Sequence, residues 1–460
     1  MIRFIDREEE IKLLERDWKS SKNAFVVVFG RRRIGKTRLI EEFLRSKDGI
    51  KYTAEDTNKK IQINEIKNIF ASYLNDDFLR KQEISDWSSF FSYLSNILPK
   101  NKRLYLWIDE FSYIIKNDPS CVSAIQKFID GFLRRSKMFF IVSGSLFGLM
   151  SEKILSASSP LYGRRTRDIL LRQIPPQHVQ KFLRMRFEDS FKVMLTIGGI
   201  PEYLLVASKY KSYESFIKNE FFRHDGYFYR EPYFLLSQEF KEIKTYFSIL
   251  NAISYGNTRP TEIANFVGIK AREIYPYLDL LINYNFIKRE GQFLGKRKRG
   301  IYLIEDVFFD FWFNFVYRNR EIIESTFPFK PNKSQLNEFL GRRFEIFVRE
   351  NFNLFFDSFP KVGHWWYKDK EIDIIALDDR TKKILFVECK WQSDVDPEKV
   401  LDGLFKTSKL VEWNNDIRKE SYAIFAKSFS KKINNFEGNP VYCFDLKDIE
   451  KIFRRSHHFK

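Results

Sequence analysis

Three stretches of the chain are apolar without alternation: "AFVVVF" (24–29), "RLYLWID" (103–109) and "KMFFIVSG" (137–144). Each stops at a polar or glycine step, and each has strand length. Unbroken runs of this kind read as buried strands. Behind the first run the period changes. Leu39, Ile40, Phe43 and Leu44 fall on one helical face. Near the other end, "EIDIIAL" (371–377) and "KILFVECKW" (383–391) flank the polar turn "DDRTK" and read as a hairpin.

The middle has another rhythm. From about residue 236 an amphipathic helix is followed by a short helix opened by Thr261, with Glu262, Ile263 and Ala264. "VGI" makes a turn, and a third helix carries Ile274, Tyr277, Leu278 and Leu281. "FIKRE" and "GIYLI" then read as two wing strands around the basic tip "GKRKRG". The pattern is a helix-turn-helix with a wing. Pro276 inside the third helix departs from it, unless it sits in the first turn or at a kink. Lys296, Arg297, Lys298 and Arg299 suit a phosphate backbone, whereas Arg272 is the one obvious base-reading side chain on the third helix. The rival reading is a module that binds another domain or protein.

Composition adds bounds. A chain of 460 residues, 44% hydrophobic, is long enough for several cores. Its net charge of +18 favours a polyanionic partner, although abundant Lys, Phe, Ile and Asn also fit a genome-wide bias. Cys121, Cys389 and Cys443 have no metal-binding spacing and cannot all pair, which suits a reducing compartment. "MIRFIDREEE" is charged from the start, and no apolar run is long enough to span a bilayer. A soluble cytoplasmic protein is expected, with no membrane partner.

The first run leads into Gly30-x-x-x-x-Gly35-Lys36-Thr37, a phosphate-binding loop in the strand–loop–helix setting it requires. Glycines let the backbone curl round phosphates at a helix N-terminus. The expected cradle is Gly30, Arg33, Ile34, Gly35, Lys36, Thr37 and Arg38, through main-chain groups. Lys36 would reach the β- and γ-phosphates of ATP, and Thr37 would bind Mg²⁺. Asp109, ending the second run, fits the carboxylate that holds Mg²⁺. Glu110 fits the base that orients the attacking water. The third run ends in Ser143 and Gly144, followed by Ser145, where a polar side chain, Ser143 above all, either senses the γ-phosphate or belongs to a strand-end turn. The side chains of Arg31, Arg32 and Arg33 are expected to meet solvent or an intramolecular carboxylate.

Taken in order, "FIDREEEIKLLE", "GRRRIGKTRL", "LYLWIDEF", "IVSGS", "SPLYGRRT" and "GGIPEYL" resemble the archaeal-type ATPases of the AAA+/STAND P-loop group. The resemblance covers about the first half of the chain. It implies a three-layer α/β P-loop core and a helical lid. It makes Arg164 or Arg165 a candidate arginine finger or sensor; the alternative is a basic turn facing solvent. It places Gly199 and Pro201 in the lid segment near the nucleotide base.

In the hairpin, a turn centred between Arg380 and Thr381 sets Asp373 opposite Glu388, Ile375 opposite Phe386 and Leu377 opposite Ile384. Asp373, Glu388 and Lys390 then share one face. Two carboxylates beside a lysine suit a hard cation and a phosphate in flight. The pattern Asp…Glu-x-Lys is that of the PD-(D/E)XK nuclease superfamily. The segment from about 335 resembles the C-terminal, DUF234-type domain found behind such ATPases. By that resemblance Glu345, Asp373 and Glu388 are metal ligands, the Cys389 carbonyl is a further one, and Lys390 is the catalytic lysine. The metal would be Mg²⁺, with Mn²⁺ as an alternative at this site. Trp365, Trp366 and Trp391 either stack on bases or pack in the core, and packing is the favoured reading.

The expected fold is α/β throughout: a P-loop ATPase core (1–168), a helical lid (169–235), a winged helix-turn-helix (236–305), a connector (306–334) and a restriction-endonuclease-like domain (335–460). The expected function is an ATPase coupled to a nucleic-acid-binding, DNA-cleaving C-terminal domain. DNA is the favoured partner, and an ATP-dependent homo-oligomer is a second. The alternative is a STAND-like switch in which ATP controls recognition without cleavage.

Overall fold

The computed structural model describes residues 4–20, 22–294, 300–325 and 329–455. The chain forms two compact units. The first runs to Ile174 and takes in Ile200–Glu202; the second holds Pro175–Gly199 and everything from Tyr203.

The first unit is built on a parallel sheet. Its strands are β1 (Ala24–Phe29), β2 (Gly49–Thr53), β3 (Tyr105–Asp109), β4 (Phe139–Gly144) and β5 (Arg167–Leu170), in the order β2-β3-β4-β1-β5. Every residue of β1 and β4 is buried, which is why their sequences do not alternate. Phe25, Val27, Ile108, Phe140 and Val142 pack under helical residues such as Trp87, Phe90 and Phe128. In register, Val28 pairs with Ser143 and Ile108 with Val142. The carboxyl ends of β1, β4 and β3 therefore stand side by side, where open α/β sheets bind ligands.

The second unit contains the winged motif. Its helices are Ile243–Ser254, Pro260–Val267 and Tyr275–Asn283. β6 (Ile287–Gly291) and β7 (Gly300–Ile304) form the wing, antiparallel from Ile287–Ile304 to Gly291–Gly300. Pro276 occupies the first turn of its helix, where a missing N–H costs nothing. The short helix opens at Pro260, one residue before Thr261. The Glu262 carboxylate accepts from the Thr258 and Arg259 N–H groups (3.1 and 3.0 Å) and so fixes the start. The basic tip, Lys296 to Arg299, lies outside the described residues.

The wing is anchored within this unit. Lys288 pairs with Glu350 at 2.6 Å and with Glu305 at 3.1 Å. Arg349 pairs with Glu290 at 3.1 Å, and the Phe293 N–H donates to the His364 carbonyl at 3.1 Å. The helix Lys333–Glu350 starts within the stretch that reads as a polar connector. Asn332 causes this, because its side-chain oxygen accepts from the Ser334 and Gln335 N–H groups.

A mixed sheet completes the unit. β8 (Lys361–Tyr367), β9 (Lys370–Asp378), β10 (Lys383–Lys390), β11 (Lys419–Ala426), β12 (Asn435–Phe436) and β13 (Asn439–Phe444) run in the order β12-β13-β11-β10-β9-β8. The expected hairpin register holds: Phe386 pairs with Ile375 and Ile384 with Leu377. The helix Phe187–Ile197, from the expected lid, packs in this unit too. Phe191 meets Phe347 at 4.9 Å between ring centroids and stacks on Trp391 at 6.0 Å.

Candidate functional site

At the carboxyl end of β1 the backbone turns at Gly30. A side chain there would bring a Cβ to 2.5 Å from the Leu171 carbonyl oxygen, so only glycine fits. Gly35 is left-handed (φ 90°) and begins the helix Lys36–Leu44, which no side chain caps. Its first-turn N–H groups thus face a ligand position by helix geometry. Lys36 is buried, and its ammonium donates to the carbonyls of Gly30 and Arg31, both at 3.0 Å. The Thr37 hydroxyl donates to Asp109 Oδ2 at 2.9 Å. Thr37 and Asp109 are thus the oxygen donors available to Mg²⁺, and a tightly paired hydroxyl and carboxylate suit that ion.

Asp109 is clamped from its other side. Ser143 donates to Asp109 Oδ1 at 2.7 Å, and the Glu110 N–H donates to the same atom at 3.0 Å. Ser143 is fully buried and accepts from the Trp107 indole at 2.7 Å. In this geometry it positions the carboxylate. Glu110 has left-handed backbone (φ 50°) and accepts from the Ser145 hydroxyl at 2.5 Å.

The arginines are committed elsewhere. Arg33 pairs with Glu202 at 3.0 Å, the intramolecular carboxylate anticipated for this group, and Arg32 donates to the Tyr113 hydroxyl. Arg164 is held by Asp130 (2.8 Å) and by the Pro160 carbonyl (2.9 Å). Arg165 donates to the Ile154 carbonyl at 2.9 Å. Arg164 is thus tied to Asp130 and to the turn at Pro160. Pro201 lies 4.0 Å from where a Cβ on Gly35 would stand, so the "GIPE" segment borders the phosphate loop.

At the ends of β9 and β10 the second set of residues gathers. The paired ladder of β9 and β10 stops at Val387–Ile374, one step before Asp373 and Glu388. Asp373 is buried, and its Oδ2 accepts from the Cys389 N–H at 2.7 Å. Lys390 donates to Glu388 Oε1 at 2.5 Å. Burial, with Glu371 and Glu388 close by, raises Glu345 to about 7. Burial, with Glu388 and Glu345 close by, raises Asp373 well above the carboxylate range. Burial would lower Lys390, but the facing Glu388 more than reverses this and holds it above the usual lysine value. This is a pocket of excess negative charge, chemically suited to a divalent cation. Yet among the described residues no three acidic, histidine or cysteine side chains converge as a ready metal cage. Trp391 and Trp365 are buried in the core.

A family described as an ATPase domain predominantly from Archaea matches residues 4–205. A second, described as archaeal and bacterial proteins of unknown function, matches residues 312–400. An uncharacterised protein of Methanocaldococcus jannaschii is 35% identical over 459 residues, covering 97% of this chain and all of that one. This chain belongs to that family of archaeal ATPases. An uncharacterised ATP-binding protein of Pyrococcus horikoshii is 26% identical over 249 residues, 46% of the ATPase and 76% of its relative. The solved Walker-type ATPase of Pyrococcus abyssi is similar at a TM-score of 0.48 and 20% identity, over 67% of this chain and 96% of that one. The ATPase binds ATP at a P-loop core and carries a further α/β sheet domain behind it. No helix among the described residues is long and apolar enough to cross a membrane.

Sequence reasoning did not single out Trp107, Tyr113 or Glu202 in this ATPase. Trp107 was within reach, since residues two apart on a strand share a face, and Trp107 and Asp109 both meet Ser143. Glu202 and Tyr113 meet their arginines only through tertiary contact, and no local signal marks them.

Proposed function

We propose that ATP at the phosphate loop controls a C-terminal domain that engages DNA and cuts it with a divalent metal. Lys36 and the main-chain groups of Gly30, Arg33, Ile34, Gly35, Thr37 and Arg38 hold the phosphates. Thr37 and Asp109 hold Mg²⁺, and Glu110, oriented by Ser145, takes the proton of the attacking water. In the C-terminal domain Glu345, Asp373 and Glu388 would hold Mg²⁺ or Mn²⁺. When bound, such an ion polarises a phosphodiester and lowers the pKa of water. Lys390, beside Glu388, is placed to neutralise charge building on a phosphate.

The observation that carries this reading is the one-face grouping of Asp373, Glu388 and Lys390 at the ends of two paired strands, with Glu345 sharing their field. The charge of +18 supports a nucleic-acid partner. ATP-dependent self-association belongs to the same reading, with size by light scattering, with and without ATP, as its measurement.

A second reading has its own support. Glu388 is already paired with Lys390 and Asp373 with the Cys389 N–H, and no cage is assembled among the described residues. In that reading the domain recognises nucleic acid or a protein without cutting, as an ATP-controlled switch.

The test is cleavage of a circular plasmid and of a labelled single strand with Mg²⁺ or Mn²⁺, with and without ATP. Wild type runs beside Glu388→Ala and Lys36→Ala. Metal-dependent cutting lost in Glu388→Ala supports the nuclease, and Lys36→Ala reports whether ATP gates it. No cutting with ATP hydrolysis intact sinks the nuclease and leaves the switch.

A further inference from the structure

A cavity of about 340 Å³ in the second unit belongs to neither set of residues above. Its floor is Trp312, buried to 2% exposure, whose indole donates to the Tyr229 carbonyl at 2.9 Å. Tyr233 stands edge-on to Trp312 with centroids 5.5 Å apart, and Tyr317 lies over it at 5.6 Å. Tyr233 and Phe234 are exposed on the rim, at 38% and 57%. Large aromatic surfaces facing a cavity are where a flat ligand gains contact.

Aromatic walls alone suit two chemistries, an alkylated ammonium or a nucleobase. The charges decide between them. Arg230 and Arg320 both line the cavity, and the Arg320 guanidinium lies 4.6 Å from the Tyr317 ring centroid, on a face an ammonium would need. Arg230 is exposed and pairs with no carboxylate among the described residues. Against these two cations stands Glu324, whose carboxylate accepts from the Tyr229 hydroxyl at 2.7 Å. A cation would be repelled, whereas an aromatic anion meets stacking faces and two guanidinium groups together.

The geometry points to a nucleotide site, with a base stacked on Tyr233 and Phe234 and its phosphate held by Arg230 and Arg320. The volume is within the usual range for such a ligand, roughly 300–1,000 Å³. A free nucleotide and one unit of a single strand present the same base and phosphate. The site rests on the nucleic-acid reading above only for the strand as its source, and it uses none of the carboxylates of that reading.

The experiment uses full-length protein carrying Lys36→Ala, so that the phosphate loop contributes little. A fluorescein-labelled twelve-nucleotide thymidine strand containing 4-thiothymidine is titrated by anisotropy, then cross-linked by light and mapped by mass spectrometry. AMP is titrated directly and as a competitor. Cross-links are expected between Tyr229 and Phe234. Arg230→Glu and Phe234→Ala, both at exposed positions, are each expected to weaken binding about tenfold, the size of one stacked base or one phosphate contact, without moving Tm. Displacement by AMP assigns the site to single nucleotides; cross-linking that AMP does not displace assigns it to a strand. A strand that binds but cross-links only elsewhere, with both variants unchanged, overturns this site and leaves the nucleic-acid reading standing. No binding of strand or AMP also overturns it, and the plasmid assay then judges the C-terminal carboxylates separately.

Discussion

Ser143 on β4 donates its hydroxyl hydrogen to Asp109 on the neighbouring β3 across 2.7 Å, while its oxygen accepts from Trp107. One buried serine thus fixes the acid that faces Thr37. Ser143→Ala removes a clamp on the carboxylate and leaves the Trp107 indole without its acceptor. The expected loss is about 1–3 kcal/mol in stability. A higher Mg²⁺ half-saturation for ATP hydrolysis is expected as well, read from rates at varied metal. An unchanged half-saturation would show that Thr37 and the Glu110 N–H suffice to orient Asp109.

Lys36→Ala is expected to weaken ATP binding by at least about tenfold, since it deletes a charged hydrogen-bond donor to phosphate. The same ammonium also ties the Gly30 and Arg31 carbonyls. A Tm drop equivalent to about 1 kcal/mol is therefore expected without nucleotide. Binding of a fluorescent ATP analogue and a thermal melt separate the two effects.

Glu290 gives the wing its pH dependence. Burial would raise its pKa, but His364, Arg349 and Lys288 more than reverse this and hold it below the usual glutamate value. A carboxylate held low in the folded state contributes stability above its unfolded pKa. That contribution is lost as pH falls through the folded value, which lies below the ordinary glutamate range. Glu290→Gln is expected to cost about 3 kcal/mol near neutral pH, because Arg349 loses its partner in a poorly hydrated site. The acid limb of its stability profile should be flatter than that of the wild type. Denaturant melts from pH 3 to 7 measure both effects, and parallel profiles would rule out this role for Glu290.

Phe191→Ala is expected to destabilise the second unit by about 3–5 kcal/mol, the cost of emptying an aromatic core position. The ring is 2% exposed and touches Phe344, Phe347 and Trp391. Hydrogen exchange should quicken in both the helix Phe187–Ile197 and the helix Lys333–Glu350. Faster exchange in the first helix alone would mean that the two are not mechanically joined.

Much of this was legible in the chain itself. The phosphate loop and the ends of β3 and β4 declare themselves because buried strands are continuous and glycines mark the turn. The β9–β10 register follows from the period of two and the centre of the turn, so the placement of Ile375 opposite Phe386 needed no tertiary knowledge. What was hidden is long-range. The pairing of Arg164 with Asp130 and that of Arg33 with Glu202 join residues far apart in sequence. Asn332 was hidden differently: a capping residue looks like linker until the helix behind it is known. Ser143 was visible, but whether its hydroxyl faces phosphate or a carboxylate depends on which strand lies beside it.

The path of the chain has a practical consequence for dissection. The polypeptide passes between its two units at Ile174–Pro175, Gly199–Ile200 and Glu202–Tyr203. A fragment ending at Ile174 keeps the whole phosphate loop but parts from Glu202, the partner of Arg33, and from Pro201 beside Gly35. A fragment extended past Glu202 regains both, yet carries the helix Phe187–Ile197 away from Phe344, Phe347 and Trp391. That fragment would show a bare aromatic stripe to water and is expected to aggregate. No single cut divides this polypeptide into two pieces that are each whole.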